Sequence, residues 1–142
     1  DDSAALTGLD TPDRLWLLRM MAGRDWNWIA GNHDAGPLDI AGSHRSEIHE
    51  GGIVFRHIAE VGAQGEVSGH YHPKARLAGR SWRCFACDAT RIILPAFGTY
   101  TGGLWCEDPA LSSLMTKGAV AILCGGASAR AIPMPRSSTK AR

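Results

Sequence analysis

Apolar residues recur at helical spacing in only one long segment. In "TPDRLWLLRMMAG", residues 11–23, Thr11 can cap a helix, Pro12 suits its first position and Asp13 places an acid in the first turn. Leu15 and Leu18, with Met21 and Trp16, are the expected inward face, and Gly23 the stop. Elsewhere the pattern is short apolar or alternating runs bounded by glycine, which predicts strands. These runs are Trp26 to Ala30, a weaker one near Ser46 to Glu50, "IVFRHI" after the hairpin signal Gly51-Gly52, and "EVSG" at 66–69. "SWRCFAC" and "TRIILPAF" predict a hairpin turning at Asp88-Ala89. "GAVAILCG" and "SARAIPM" predict another at Gly125-Gly126. An early helix followed by many short strands predicts an α/β fold, two packed β-sheets flanked by helices. Residues 1–142 read as a single domain without linker or repeat, and the polar tail 135–142 as disordered.

Composition narrows the picture little. At 142 residues and 44% hydrophobic content the chain can bury a core, and a net charge of +1 gives no global field favouring nucleic acid or membrane. No apolar run approaches a membrane span and no signal peptide opens the chain, so a cytoplasmic protein with no membrane partner is expected. Four cysteines are too few for a secreted disulfide framework. Cys84 and Cys87 form a C-x-x-C, but within an alternating strand, where two semi-buried cysteines are expected instead of a zinc or redox pair.

The candidate chemistry lies where short strands end. Asn32, His33 and Asp34 follow the run at 26–30; His57 closes "IVFRHI"; His70 and His72 follow "EVSG". Alternation places His70 and His72 on one side of an extended segment, and Gly69 is expected to let the backbone turn there. Imidazole nitrogens with an amide oxygen suit zinc, manganese, iron or nickel. His44 and His49 read as surface or hydrogen-bonded histidines.

These residues carry a resemblance. "GNHD", a lone strand histidine and then "GHYH" resemble the second half of the calcineurin-like metallophosphoesterase signature, which runs D-x-H, G-D, G-N-H-[DE], His, G-H-x-H. "GNHDAGP", "GEVSGHYHPKARL" and "RCFACDATRIILPAFGTYTGGL" together resemble the DNA-ligase-associated, PdeM-type branch, over roughly residues 12 to 134. The resemblance implies a four-layer αββα sandwich and a binuclear centre of divalent ions, Mn2+ first, with Zn2+, Fe2+ or Ni2+ as alternatives. Asn32, His57 and His70 correspond to ligands of one ion and His72 to a ligand of the other. His33 corresponds to the histidine that meets the substrate phosphate, with Asp34 orienting it. Two ions about 3.5–4 Å apart can clamp a phosphoryl group during in-line attack.

The implied function is a phosphodiesterase or nuclease linked to DNA repair, with a phosphoester substrate such as DNA or RNA. Functional association with a DNA ligase and a helicase is also implied. Neither D-x-H nor G-D precedes Asn32, so the chain is expected to be the C-terminal portion of the domain, N-terminally incomplete. As it stands it is expected to hold at most one ion well and to have little or no catalysis. The alternative is a truncated, non-catalytic remnant acting as a binding or structural module. Two further expectations concern substrate. Arg76, with Lys74, Arg80 and Arg83, follows the GHYHP loop and could track a phosphate backbone. The loop "LPAFGTYTGGL", residues 94–104, is expected to pack beside GHYH, with Tyr100 touching substrate or the surroundings of a ligand.

Overall fold

The computed structural model describes residues 8–32, 41–125 and 128–136. Its first element, helix α1 (Thr11–Met21), has Pro12 in the first turn as expected, but its cap is Asp10, whose carboxylate accepts the Asp13 amide proton at 3.0 Å. Thr11 is therefore inside the helix. The inward face also differs from the expected one. Met21 is buried as expected, but its partner four residues back is Leu17, whereas Leu15, Trp16 and Leu18 stay exposed. With leucines at 15, 17 and 18, apolar spacing alone fits more than one face, and the fold buries the narrow one.

Ten strands follow. β1 (Asn27–Ile29) pairs in parallel with β2 (Ser43–Arg45) as a two-stranded sheet. The second sheet has eight strands. β3 (Glu47–Glu50) and β4 (Ile53–Arg56) form the hairpin expected at Gly51-Gly52, both glycines having positive φ, as its tight turn requires. β5 (Glu66–Ser68) lies beside β4 and β8 (Arg91–Ile93) beside β5, all three parallel. β7 (Arg80–Cys87) pairs antiparallel with β8 and with β9 (Val120–Leu123), and β10 (Arg130–Pro133) closes that edge. β6 (Lys74–Leu77), absent from the strands expected from the sequence, pairs with the first half of β7 through a tight turn at Ala78-Gly79. A single helical turn, α2 (Pro109–Ser112), was not anticipated.

The fold is thus mixed α/β with two sheets of very unequal size and little helix among the described residues. Register builds its core. Cys84 lies opposite Leu123, and Ala86 opposite both Ala121 and Ile93, so one face of β7, β8 and β9 carries all five buried side chains. Leu111, Met115 and Met134 cover that face, and the alanines let them approach closely. Cys84 is wholly buried while Cys87 is half-buried, as two strand cysteines three apart should be. The Cys84 sulfur instead meets Cys106 at 3.5 Å, and the shared hydrogen bond with burial keeps the Cys84 thiol protonated. In the tail, Arg136 reaches the carbonyls of Ser112, Met115 and Thr116, so Pro135 and Arg136 are fastened; 137–142 lie outside the described residues.

The hairpin corner at Asp88 has a measurable consequence. Burial raises the carboxyl's pKa, but bonds from the Thr116 amide, the Thr90 amide and hydroxyl, and the Arg91 amide outweigh it and hold the pKa at about 2. The folded value lies below the unfolded one, so the stabilisation is fully present above 3.8 and lost as pH falls toward 2. Screening at this half-buried corner leaves roughly 1–2 kcal/mol. Urea titrations of wild type and Asp88→Asn should show a gap at neutral pH that narrows below 3.8. A gap constant down to the acid limit would contradict this account.

Candidate metal and phosphoester site

Parallel β4, β5 and β8 end flush, because Arg56 pairs with Ser68 and Ser68 with Ile93. The next residues, His57, Gly69-His70 and Leu94, therefore leave the sheet at one edge, where α/β proteins commonly place ligands. The Gly69 amide donates to the His57 carbonyl and the Leu94 amide to the Ser68 carbonyl, tying the three exits together. Asn32 arrives from the other sheet, three residues beyond the end of β1, steadied where the Ala30 amide donates to the Arg45 carbonyl.

Three donor atoms meet there. His57 Nε2 lies 2.7 Å from Asn32 Oδ1, His70 Nδ1 lies 3.1 Å from the same oxygen, and the two ring nitrogens are 3.0 Å apart. The rings pack edge to face at 4.9 Å, and His70 likewise against Tyr71 at 5.1 Å. Hydrogen bonding cannot close such a triangle. Each ring nitrogen offers in its plane either one proton or one lone pair. If both imidazoles donate to Asn32, their two N–H groups face each other; if one donates to the other, a lone pair meets the amide oxygen. A cation capping the triangle would satisfy all three. Donors on one face of an octahedron around an ion bonded at about 2.1 Å stand ~3.0 Å apart, so the spacing fits a divalent transition ion. Among the described residues no group of three or more histidine, cysteine or acidic side chains gathers; the amide of Asn32 completes this cluster.

His70 and His72 have φ of +49° and +47°, in the left-handed region that β-extended residues never enter. The segment is therefore not extended, and the alternation argument for their shared side does not apply. Nor does Gly69 make the turn, since its φ is not positive and a Cβ there would meet nothing closer than 3.9 Å. The histidines bear the strain themselves. His72 stands outside the triangle, with its ring bonded to the Gly102 carbonyl; burial, then the nearby His70, lowers its pKa. His33 and Asp34 lie outside the described residues. His49 is an exposed partner of Glu47 at 2.8 Å, as expected. His44 is half-buried, its Nε2 without a hydrogen-bond partner among the described residues.

The 94–104 loop does pack beside the GHYH segment. The Leu104 amide donates to the Tyr71 carbonyl, the Lys74 amide to the Leu104 carbonyl, and a Cβ on Gly103 would lie 2.0 Å from the His72 carbonyl oxygen. Only glycine fits at 103. Arg83 pins the far side, donating to the carbonyls of Ala96 at 3.2 Å and Thr99 at 2.7 Å. That guanidinium is a loop clamp and not, as expected, one of the phosphate-tracking arginines. Tyr100 is fully exposed, so it does not pack among the ligands' surroundings. Arg76 lies over the Trp105 ring with Lys74 beside it. The sequence reading missed the Trp105 and Arg83 roles. The i, i+2 spacing of Lys74 and Arg76 was the available signal for the first.

Fold and site together describe a mixed α/β protein with a donor cluster at the carboxyl edge of parallel strands. Among solved structures the chain is similar to the nuclease MPE of Pseudomonas putida, at 25% identity with a TM-score of 0.62; the match covers 86% of this chain and 60% of that one. The likeness is consistent with a metallophosphoesterase-like fold. No protein-family model and no curated protein matches the sequence. Among the described residues no helix is long and apolar enough to cross a membrane.

Proposed function

We propose that the chain is part of a divalent-metal-dependent phosphoesterase of the metallophosphoesterase type, acting on the phosphodiester bonds of DNA or RNA. The observation that carries this is the triangle of Asn32, His57 and His70, three donors that protons cannot satisfy together and one cation can. The similarity to a nuclease supports the substrate class. The four-layer sandwich, the DNA-ligase-associated branch, and the link to a ligase, a helicase and DNA repair belong to the same proposal and rest on the motif resemblance.

A bound Mn2+, Zn2+, Fe2+ or Ni2+ would polarise the phosphoryl oxygens and supply a water of lowered pKa. The chain's own contributions are positional. Asn32 offers a neutral oxygen, His57 and His70 two nitrogens, and the flush strand ends fix their separation. His33, next to a donor, would meet the phosphate as a charge stabiliser or general acid, with Asp34 orienting it. His72 would serve a second ion, and Tyr100 would touch substrate from its exposed loop.

The His72 ring is occupied by the Gly102 carbonyl, which favours a one-ion module as a second reading. Calorimetric titration of the metal-free chain with Mn2+, alongside hydrolysis of bis(p-nitrophenyl) phosphate with and without chelator, tests both. One tight equivalent with hydrolysis that chelation abolishes supports a phosphoesterase. One equivalent without hydrolysis supports the binding module for this chain. A chain that takes up no divalent ion overturns the site.

A further inference from the structure

Two cations that alternate along a strand ordinarily extend separately into water, keeping their rotamer freedom. On β6 they do not. Lys74 and Arg76 share a face, and both lie against Trp105, the ammonium 4.6 Å and the guanidinium carbon 3.8 Å from the ring centroid. The indole is held in place because Lys74 and Trp105 form a backbone bridge, with the Leu104 carbonyl accepting from the Lys74 amide and the Lys74 carbonyl from the Cys106 amide. Stacking orders both stems; Lys74 is half-buried and Arg76 keeps 63% of its side chain exposed. Among the described residues its ion-pair partner is Glu107, at a loose 3.8 Å. The two positions are about 6.8 Å apart along the strand, of the order of the separation of successive phosphates on an extended polynucleotide. The row starts two residues beyond His72, across the buried Pro73, and four beyond His70 of the donor triangle.

We propose that the outer face of β6, with Lys74 and Arg76 held on Trp105, binds the phosphodiester backbone of a polynucleotide strand beside the bond to be cut. Its direction rests on the phosphoesterase reading; its existence does not. The ordering entropy of both side chains is already spent on the indole, so phosphates meet preorganised cations. The contact is expected to read backbone before bases, because both groups are cations held against the indole.

The test is fluorescence anisotropy of a short labelled oligothymidylate with the full chain in EDTA, across a salt series. Metal uptake plays no part in it, so failure here and failure of the metal site are separable. Wild type is expected to bind with a salt-dependent affinity. Lys74→Gln with Arg76→Gln should weaken binding roughly tenfold at low salt, and the log–log salt slope should flatten by ~1.4, two contacts at about 0.7 each. Trp105→Leu keeps both charges but frees them, and an intermediate loss of about threefold is expected. Arg19→Gln with Lys117→Gln, equal in charge, exposed and remote from β6 in sequence, should change little. The proposal is overturned if wild type does not bind, if the β6 pair leaves affinity and slope unchanged, or if the remote pair costs as much.

Discussion

His57→Ala is expected to weaken divalent-ion binding by more than about 100-fold, because losing a residue that merely orients a ligand already costs roughly 10–100-fold. The argument is geometric. His57 Nε2 makes the 2.7 Å contact with Asn32 and the 3.0 Å contact with His70, so its removal breaks two edges of the triangle. What stays is an amide oxygen and one imidazole 3.1 Å apart, a pair that an ordinary hydrogen bond satisfies. The need for a cation disappears with the ring. His49→Ala supplies the control, since that histidine is exposed and occupied by Glu47. Calorimetry with Mn2+ reads both variants. If His57→Ala keeps the wild-type affinity, the triangle is a packing accident and the metal assignment fails.

Glu66→Ala is expected to destabilise the fold by about 3–5 kcal/mol, the usual consequence of leaving one member of a buried ion pair behind. Glu66 and Arg91 face each other across β5 and β8 and are both essentially inaccessible, with the guanidinium 3.2 Å from the carboxylate. The second carboxylate oxygen accepts the Glu60 amide at 2.9 Å and faces Arg56 at 3.7 Å. Arg91 also donates to the carbonyls of Glu60 and Ala63, which ties the 57–65 connection to the sheet. Removing the carboxylate leaves a buried cation with only carbonyls for company. Glu66→Leu with Arg91→Met should recover most of the loss, since an apolar pair of similar volume is often as stable. Urea midpoints distinguish the cases. A loss below about 1 kcal/mol for Glu66→Ala would place this network among the weak surface pairs.

Much of the fold was legible because turn chemistry is local. Gly51-Gly52 and Asp88 announce their hairpins through backbone or side-chain demands that tertiary contacts do not alter. Which face of α1 turns inward was not legible, since leucines at 15, 17 and 18 fit several stripes and only packing chooses. β6 escaped because its polar Lys74 and Arg76 gave no apolar alternation of length; its partner, the start of β7, supplies the hydrogen bonds that make it a strand. Within the site, Asn32, His57 and His70 were readable from where strands end. The placing of His72 was not, because a left-handed residue inverts the side-chain direction that strand alternation assumes. Arg83 was misread for a related reason. An arginine seeking phosphate and one capping carbonyls look alike until the loop at 96–99 is in place.

The left-handed backbone at His70 and His72 has a consequence for anyone engineering this chain. A non-glycine residue held there costs on the order of 1–2 kcal/mol, and glycine would adopt the same φ with far less strain. Thermal melting of the metal-free protein should therefore score His70→Gly as neutral or better than wild type, while a marked drop in melting temperature would mean that the imidazole packing outweighs the strain. A stability screen run without metal would then rank the loss of a proposed ligand as an improvement. Selection for heat resistance alone would steer such a library away from the proposed chemistry, and a screen that includes a divalent ion would be needed to hold both histidines in place.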